Sequence, residues 1–301
     1  MKYICVQPAQ AYFAWQIDTM LHNFRTVGIQ PEDIHVVCSN NDGIHDHFIR
    51  MMEKYPRVTF TFYQDTREYT GYIASIKHHL MAKHLKAFPE LQYEPLFFHD
   101  CDIVFTKRID FEPLLRDDIW YTSDTCGYLG YDYVLGKGRD VLEMMLDIAG
   151  VQEDVFRCNQ RNSGGAQYIL KNATPDMFIE MEEMSHVMYK KISALSHEKK
   201  KKDPDYFPIQ IWTAEMWAFL FVAWKRSKIT TCHKALDFCW ATDKGKRWHE
   251  VSIYHNAGVT TKSDQHFYKA AYYHNFPPLD LVIKPEYCSY YYYNLVKNAL
   301  T

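Results

Sequence analysis

Pro95-Leu96-Phe97-Phe98-His99-Asp100-Cys101-Asp102-Ile103-Val104-Phe105 is the stretch from which the fold can be read. An apolar run leads in, another leads out, and two carboxylates one residue apart stand between them. In an extended chain, side chains alternate with a period of two, so Asp100 and Asp102 point the same way. Two like charges beside buried strand residues repel each other and lose hydration. The nearest basic pair in sequence, Lys107-Arg108, lies beyond the strand. A divalent cation would relieve the repulsion, because hard cations take carboxylate oxygens and keep positions open for water or phosphate. A plain strand end, with one Asp capping the turn, is the other reading. The apolar strand in front favours the cation, since ligands in α/β sheets gather at the carboxyl ends of strands.

Upstream the pattern alternates. Residues 3–6 read as a strand stopped by Gln7-Pro8, and 12–26 as a helix with Phe13, Ile17, Met20, Leu21 and Phe24 at helical spacing, ended by Gly28. A strand at 34–38 runs into a turn at 39–43; a helix at 47–55 closes at Pro56. A strand at 58–63 and a helix at 73–87 follow, and then the 96–98 strand that carries the acids. This is the βαβ pattern of a mostly parallel sheet with helices on its faces, an α/β fold. Neither GxGxxG nor GxxxxGK[ST] occurs, so any nucleotide phosphate must be neutralised in another way. A cation on Asp100 and Asp102 would do it.

The 301 residues, 47% hydrophobic, are enough for one large or two small cored domains. Lys and Arg number 34 against 37 Asp and Glu, a net charge of −3, which argues against a general nucleic-acid binder. Aromatic residues make up 16%, which suits clefts for sugar faces and bases but also ordinary cores. Eight scattered Cys with no CxxC pair point to a reduced, cytoplasmic protein without a disulfide or zinc framework. No apolar run reaches the length of a membrane span, and no signal-peptide pattern opens the chain.

Downstream, 119–121 reads as a short strand ending at Thr122-Ser123-Asp124, and 141–148 as a helix. Asn162-Ser163-Gly164-Gly165 is a turn before an apolar run. A long helix at 175–195 is followed by His197-Glu198 and the run Lys199–202, read as a solvated loop. Thr213 is placed as the N-cap of a helix that is apolar on nearly every face, with Glu215 its only acid. That acid is either a helix-dipole charge or a carboxylate aimed into a cleft. Trp212, Trp217 and Trp224 are read as core, and His78, His79 and His84, beside Lys77 and Lys83, as surface. A strand at 251–254 runs into His255-Asn256-Ala257-Gly258-Val259-Thr260-Thr261-Lys262. Alone, His255 reads as structural; with Asp100 and Asp102 it completes a three-ligand site with open positions. The Tyr-rich segment 287–293 reads as packing.

Asp100-Cys101-Asp102 at a strand end resembles the DxD motif of GT-A glycosyltransferases. The order of later features over residues 1–262 is similar to the retaining family-eight enzymes, which include bacterial lipopolysaccharide galactosyltransferases and glycogenin. A looser likeness is to plant hydroxyproline arabinosyltransferases. The resemblance implies a single GT-A domain over 1–301, with residues 1–125 binding the nucleotide sugar and 126–301 the acceptor. It implies that Asp100 bridges metal and ribose, that Asp102 and His255 are metal ligands, and that Gly258 and Lys262 meet the diphosphate. Lys77 would reach the donor, Asp124 and Asn162 would hold donor-sugar hydroxyls, and Gln7 and Pro8 would flank the base. Lys262 follows His255 by seven residues where the family has six, and Glu215-Met216 stands where the family has Asp-Gln.

The chemistry that follows is transfer of a sugar from a nucleotide-diphosphate donor, with UDP the carrier, to a glycan or other hydroxyl acceptor. Mn²⁺ or Mg²⁺ would stabilise the leaving diphosphate, the imidazole favouring Mn²⁺. An inverting enzyme would use Glu215 as base; a retaining one, toward which the resemblance leans, would use it to position the acceptor. A sugar-1-phosphate nucleotidyltransferase shares the need for nucleotide and metal but would want an N-terminal Gly-rich phosphate loop. A non-catalytic carbohydrate-binding protein would suit the aromatic content but gives no reason for two acids and a late His at strand ends.

Overall fold

The computed structural model describes residues 1–41, 43–263 and 265–301. Its strands are β1 (Lys2–Pro8), β2 (Ile34–Ser39), β3 (Thr59–Tyr63), β4 (Leu96–His99), β5 (Ile103–Phe105), β6 (Trp120–Ser123), β7 (Gly165–Leu170), β8 (Thr230–Cys232), β9 (Phe238–Trp240) and β10 (Ile253–His255). A seven-stranded sheet runs β3-β2-β1-β4-β7-β6-β8, and a three-stranded one β5-β10-β9. β1 pairs parallel with β2, β2 with β3, and β6 with β8, while β7 runs antiparallel to β6. Helices Ala11–Thr26, Asp46–Lys54 and Ile76–Ala87 follow the first three strands in turn. The α/β architecture read from the alternating pattern is therefore present. The turn at 39–43 closes with the Gly43 N–H donating to the Asn40 carbonyl at 2.9 Å; Asp42 within it lies outside the described residues.

The chain divides into two compact units, neither continuous in sequence. The first comprises Met1–Gln64, Phe98–Pro113 and Ala235–Thr301; the second comprises Asp65–Phe97 and Leu114–Lys234.

In the first unit the Ala11–Thr26 helix buries Ile17, Met20, Leu21 and Phe24 along one stripe at helical spacing, and Trp15 on the opposite side. Trp15 joins a core with Val104, Tyr254, Phe267, Tyr292 and Tyr293. Tyr292 and Tyr293 lie on the closing Cys288–Leu300 helix, so the Tyr-rich segment packs as expected. Asn23 is a buried polar residue of the same core with a defined task. Its Nδ2 donates to the Phe105 carbonyl at 3.0 Å and its Oδ1 accepts from the Phe105 N–H at 2.8 Å. That pair occupies both backbone groups of a β5 residue and fixes the strand that leaves Asp102.

In the second unit the helices Ile76–Ala87, Pro175–Lys202 and Ala214–Lys225 are its long elements. Ala214 through Ala223 are buried without a break, as the all-round apolar sequence requires. Three expectations are corrected here. His78 and His84 are buried, and His79 is partly buried with its Nδ1 2.9 Å from Glu182 Oε2. Flanking lysines gave the wrong impression because neighbours in sequence point to different sides of a helix. His78 falls on the i, i+3, i+4, i+7 stripe of Met81, Ala82 and Leu85. Trp212 is exposed, since it lies in the 3₁₀ turn Ile211–Thr213 ahead of the buried helix, whereas Trp217 is fully buried. Lys199–Lys202 are not a loop but the last turn of the 28-residue Pro175–Lys202 helix. Lysine is a good helix former, and cations suit a helix C-terminus.

Candidate functional site

The first unit assembles three of the expected ligands. β4 ends at His99, and Asp100, Cys101 and Asp102 form a tight connection into β5. The acids are therefore on a turn rather than in an extended strand, and period-two alternation is not what aligns them. The second sheet does the work. β10 pairs antiparallel with β5, placing His255 opposite Ile103, and the Asn256 N–H donates to the Asp102 carbonyl at 2.9 Å. This register sets the His255 ring beside the residue preceding Ile103. Its Nε2 lies 3.3 Å from Asp102 Oδ1 and 3.8 Å from Asp100 Oδ2. One ligand atom from each of the three residues lies within 4.8 Å of the others. β10 also pairs parallel with β9, and the Trp240 ring stacks on His255 with centroids 5.4 Å apart and planes at 27°.

Asp102 and His255 are buried and Asp100 partly so. Burial alone would raise the Asp102 carboxyl. Lys269, whose ammonium donates to Asp102 Oδ2, and His255 overcome it and hold the carboxyl well below the usual range. Burial pulls Lys269 down, but the Asp102 charge and hydrogen bond, together with Tyr12 and Cys101, more than offset it and raise the ammonium above an ordinary lysine. His99, next to the acids, is pushed down to about 4 by burial, and its Nδ1 is 2.9 Å from the Asp100 carbonyl. It is a neutral ring at ordinary pH.

Gln7 and Pro8 end β1, paired with Cys38 and Ser39 of β2. Gly258 follows β10 with φ +88°, a backbone state that side chains other than glycine rarely adopt. Lys262 is exposed in the loop beyond. Sequence reasoning missed Lys269 and Asn23. The signal for Lys269 was a lone lysine inside the aromatic segment His266-Phe267-Tyr268-Lys269-Ala270-Ala271-Tyr272.

The remaining expected residues belong to the second unit. Lys77 and Glu215 are brought together, Nζ to Oε1 at 2.8 Å, both largely buried. Tyr72 OH lies 2.7 Å from Glu215 Oε2 and 2.8 Å from the Trp212 carbonyl, and the Glu215 N–H donates to the same phenol oxygen at 2.9 Å. Thr213 holds the N-cap position, but its hydroxyl turns back to the Gln210 carbonyl at 2.8 Å instead of capping. Asn162 ends the 3₁₀ turn Gln160–Asn162, and its carbonyl accepts from Thr230 Oγ1 at 3.2 Å. Asp124 is exposed just past β6, its Oδ1 accepting from the Cys126 N–H at 3.0 Å.

All eight cysteines are free thiols. Among the described residues no helix is long and apolar enough to cross a membrane.

No protein-family model matches the chain, and no curated protein matches it. Among solved structures it is similar to the bifunctional glycosyltransferase WbbM in its apo form, with 10% identity and a TM-score of 0.46 over 86% of this chain and 46% of that one. The chain thus spans about half of that relative's length. It is also similar to apo mouse xyloside xylosyltransferase 1, with 8% identity and a TM-score of 0.43 over 87% of this chain and 99% of that one.

Proposed function

We propose that the protein is a glycosyltransferase that moves a sugar from a nucleoside-diphosphate donor, a UDP-sugar, to a hydroxyl acceptor. A divalent cation, Mn²⁺ or Mg²⁺, would be held by Asp100, Asp102 and His255. The observation that carries this reading is the convergence of those three side chains at the carboxyl end of β4. Two carboxylates and an imidazole within 4.8 Å of one another, one acid buried and ionised, are a donor set for such a cation. Bound there, the cation would offset the charge that develops on a departing diphosphate.

The chain's own residues supply the rest. Lys269 places a second positive charge beside Asp102, where it can meet phosphate oxygens once the cation takes over that carboxylate. Gly258 turns the backbone without a Cβ after β10, the property a close approach to diphosphate requires. Gln7 and Pro8, at the carboxyl end of β1, flank the base, and the exposed Lys262 reaches toward the donor. In the second unit both Glu215 oxygens already have donors, Lys77 and Tyr72. With both oxygens so engaged, Glu215 is better suited to positioning the acceptor than to acting as the base, which favours a retaining reaction.

The test is calorimetric titration of UDP into the protein with Mn²⁺, with chelator, and into Asp102→Ala with Mn²⁺. Binding that requires both the metal and Asp102 is the expected result. UDP binding indifferent to chelator and to Asp102→Ala would overturn the metal–diphosphate site. Absence of UDP binding in all three conditions, followed by absence of GDP binding, would overturn the transferase reading as a whole.

A further inference from the structure

The second unit carries a cluster of its own. β8 runs parallel to β6 with Cys232 opposite Thr122. Two residues after Thr122 the chain leaves the sheet through Asp124, whose Oδ1 accepts from the Cys126 N–H and turns Cys126 back toward the end of β8. The two sulfurs, 106 residues apart in sequence, meet at 3.7 Å. One ligand atom each from Asp124, Cys126 and Cys232 lies within 4.8 Å of the others. Neither cysteine is sealed in, and Asp124 is exposed, so the cluster is open to solvent on one side.

The sulfur spacing is informative. A tetrahedral zinc with bonds of about 2.3 Å separates two thiolates by about 3.8 Å, the edge of the tetrahedron. The observed 3.7 Å is that edge, whereas a disulfide would bring the sulfurs to about 2.05 Å. Polar groups adjoin Cys232, whose sulfur also lies 3.9 Å from the Ser123 carbonyl. Thr122 Oγ1 lies 3.6 Å from its sulfur, and the Thr125 backbone N–H points to it as well. The nearby chain is cut back to admit this arrangement. A Cβ on Gly164 would stand 2.0 Å from Thr122 Oγ1 and 2.7 Å from Cys232 Sγ.

We propose that Asp124, Cys126 and Cys232 bind a borderline-soft divalent cation of the zinc class, leaving one position for water or a further ligand. Two thiolates separate it in kind from Asp100, Asp102 and His255, which are oxygen and nitrogen donors. Binding exchanges two thiol protons, released to the buffer, for one cation.

The test uses Co²⁺ as the probe, added to the full chain in its reduced state. A thiolate-to-cobalt charge-transfer band and tetrahedral visible bands should grow to one equivalent and bleach when Zn²⁺ is added. They should vanish in Cys126→Ser and in Cys232→Ser, and survive in Cys158→Ser, whose thiol is exposed elsewhere in the same unit. Asp124→Asn, which keeps the side-chain oxygen that accepts from the Cys126 N–H, should weaken cobalt binding several-fold and keep the charge-transfer band. Asp102→Asn should leave the bands unchanged, which separates this site from the one proposed for the donor. No charge-transfer band in the wild-type protein, or an undiminished band in both cysteine variants, overturns the proposal. So does a Cys126–Cys232 disulfide in the protein as isolated, read as a loss of two hydrogens from the mass of that peptide pair.

Discussion

Lys269 and Asp102 form a largely buried ion pair between residues 167 positions apart. The ammonium sits on the carboxylate that would also hold a divalent cation, so the two cations compete for one anion. Removing one partner of such a pair leaves an uncompensated charge and costs on the order of 3 kcal/mol. Lys269→Met should therefore unfold at a lower temperature than the wild type in chelator, and regain most of the loss with Mn²⁺. The same change should tighten Mn²⁺ binding in the absence of nucleotide by about tenfold, equivalent to roughly 1.4 kcal/mol. It should weaken UDP binding. Scanning calorimetry and metal titration read both effects. Equal Mn²⁺ affinity in variant and wild type would show that Lys269 does not occupy the cation's place.

In the proposed cation site, His255 would be the ligand that distinguishes it from an all-oxygen one. Imidazole suits Mn²⁺ better than Mg²⁺, whereas an amide oxygen does not discriminate in that direction. His255→Asn should lower the ratio of Mn²⁺ to Mg²⁺ affinity by about tenfold while Asp100 and Asp102 keep some binding of either ion. Competitive titration of the two metals measures the ratio directly. A ratio that stays at the wild-type value places His255 outside the coordination sphere.

The acids and His255 were legible because each ends a short apolar run, and strand ends are where an α/β sheet presents ligands. Period-two alternation is nonetheless not what brings them together. Asp100 and Asp102 lie on a turn, and the β5–β10 register, which no local pattern encodes, brings His255 to them. Lys269 shows in the sequence only as a lone lysine in an aromatic segment, because nothing near it carries the acid it neutralises. The buried histidines were misread because charge was judged by neighbours at i±1 rather than along the stripe at i+3 and i+4. The two cysteines that face each other went unread because their pairing depends on the parallel β6–β8 register and a turn at Asp124, not on a short spacing.

Glu215 and Lys77 provide a test of whether an acid in the second unit is structural or chemical. Their side chains are only 7% and 16% exposed, so truncating either strands the other in a poorly solvated place. Glu215→Ala and Lys77→Ala should each cost about 3 kcal/mol of stability, and the double variant clearly less than their sum, with a coupling of about 1–3 kcal/mol. Tyr72→Phe, which removes the phenol from Glu215 Oε2 and the Trp212 carbonyl, should cost about 1–2 kcal/mol. Urea unfolding of the four proteins gives the cycle. Additive losses would mean that the two charges do not stabilise each other, and would return Glu215 to consideration as a base.

His78 makes the stability of the protein depend on pH in a predictable direction. It is fully desolvated, and burial pushes its imidazole down to about 3, with the neighbouring Lys77 charge acting the same way. One ring nitrogen bonds the Met181 backbone, while Nδ1 is buried without a hydrogen-bond partner. A proton on this ring is thus disfavoured in the folded state only. Unfolded, the same residue titrates near 6.5, so between about 3 and about 6.5 the unfolded chain binds the extra proton. Stability from this residue is fully present above about pH 6.5 and is lost as the pH falls through that window, by up to about 1.4 kcal/mol per unit. Chemical unfolding of wild type and His78→Leu from pH 7 to pH 4.5 isolates the effect. The variant should start less stable, having lost the Met181 hydrogen bond, and its stability should fall less steeply with acid, so that the two curves converge. Parallel curves would show that the folded protein can protonate His78 and that its burial carries no electrostatic penalty.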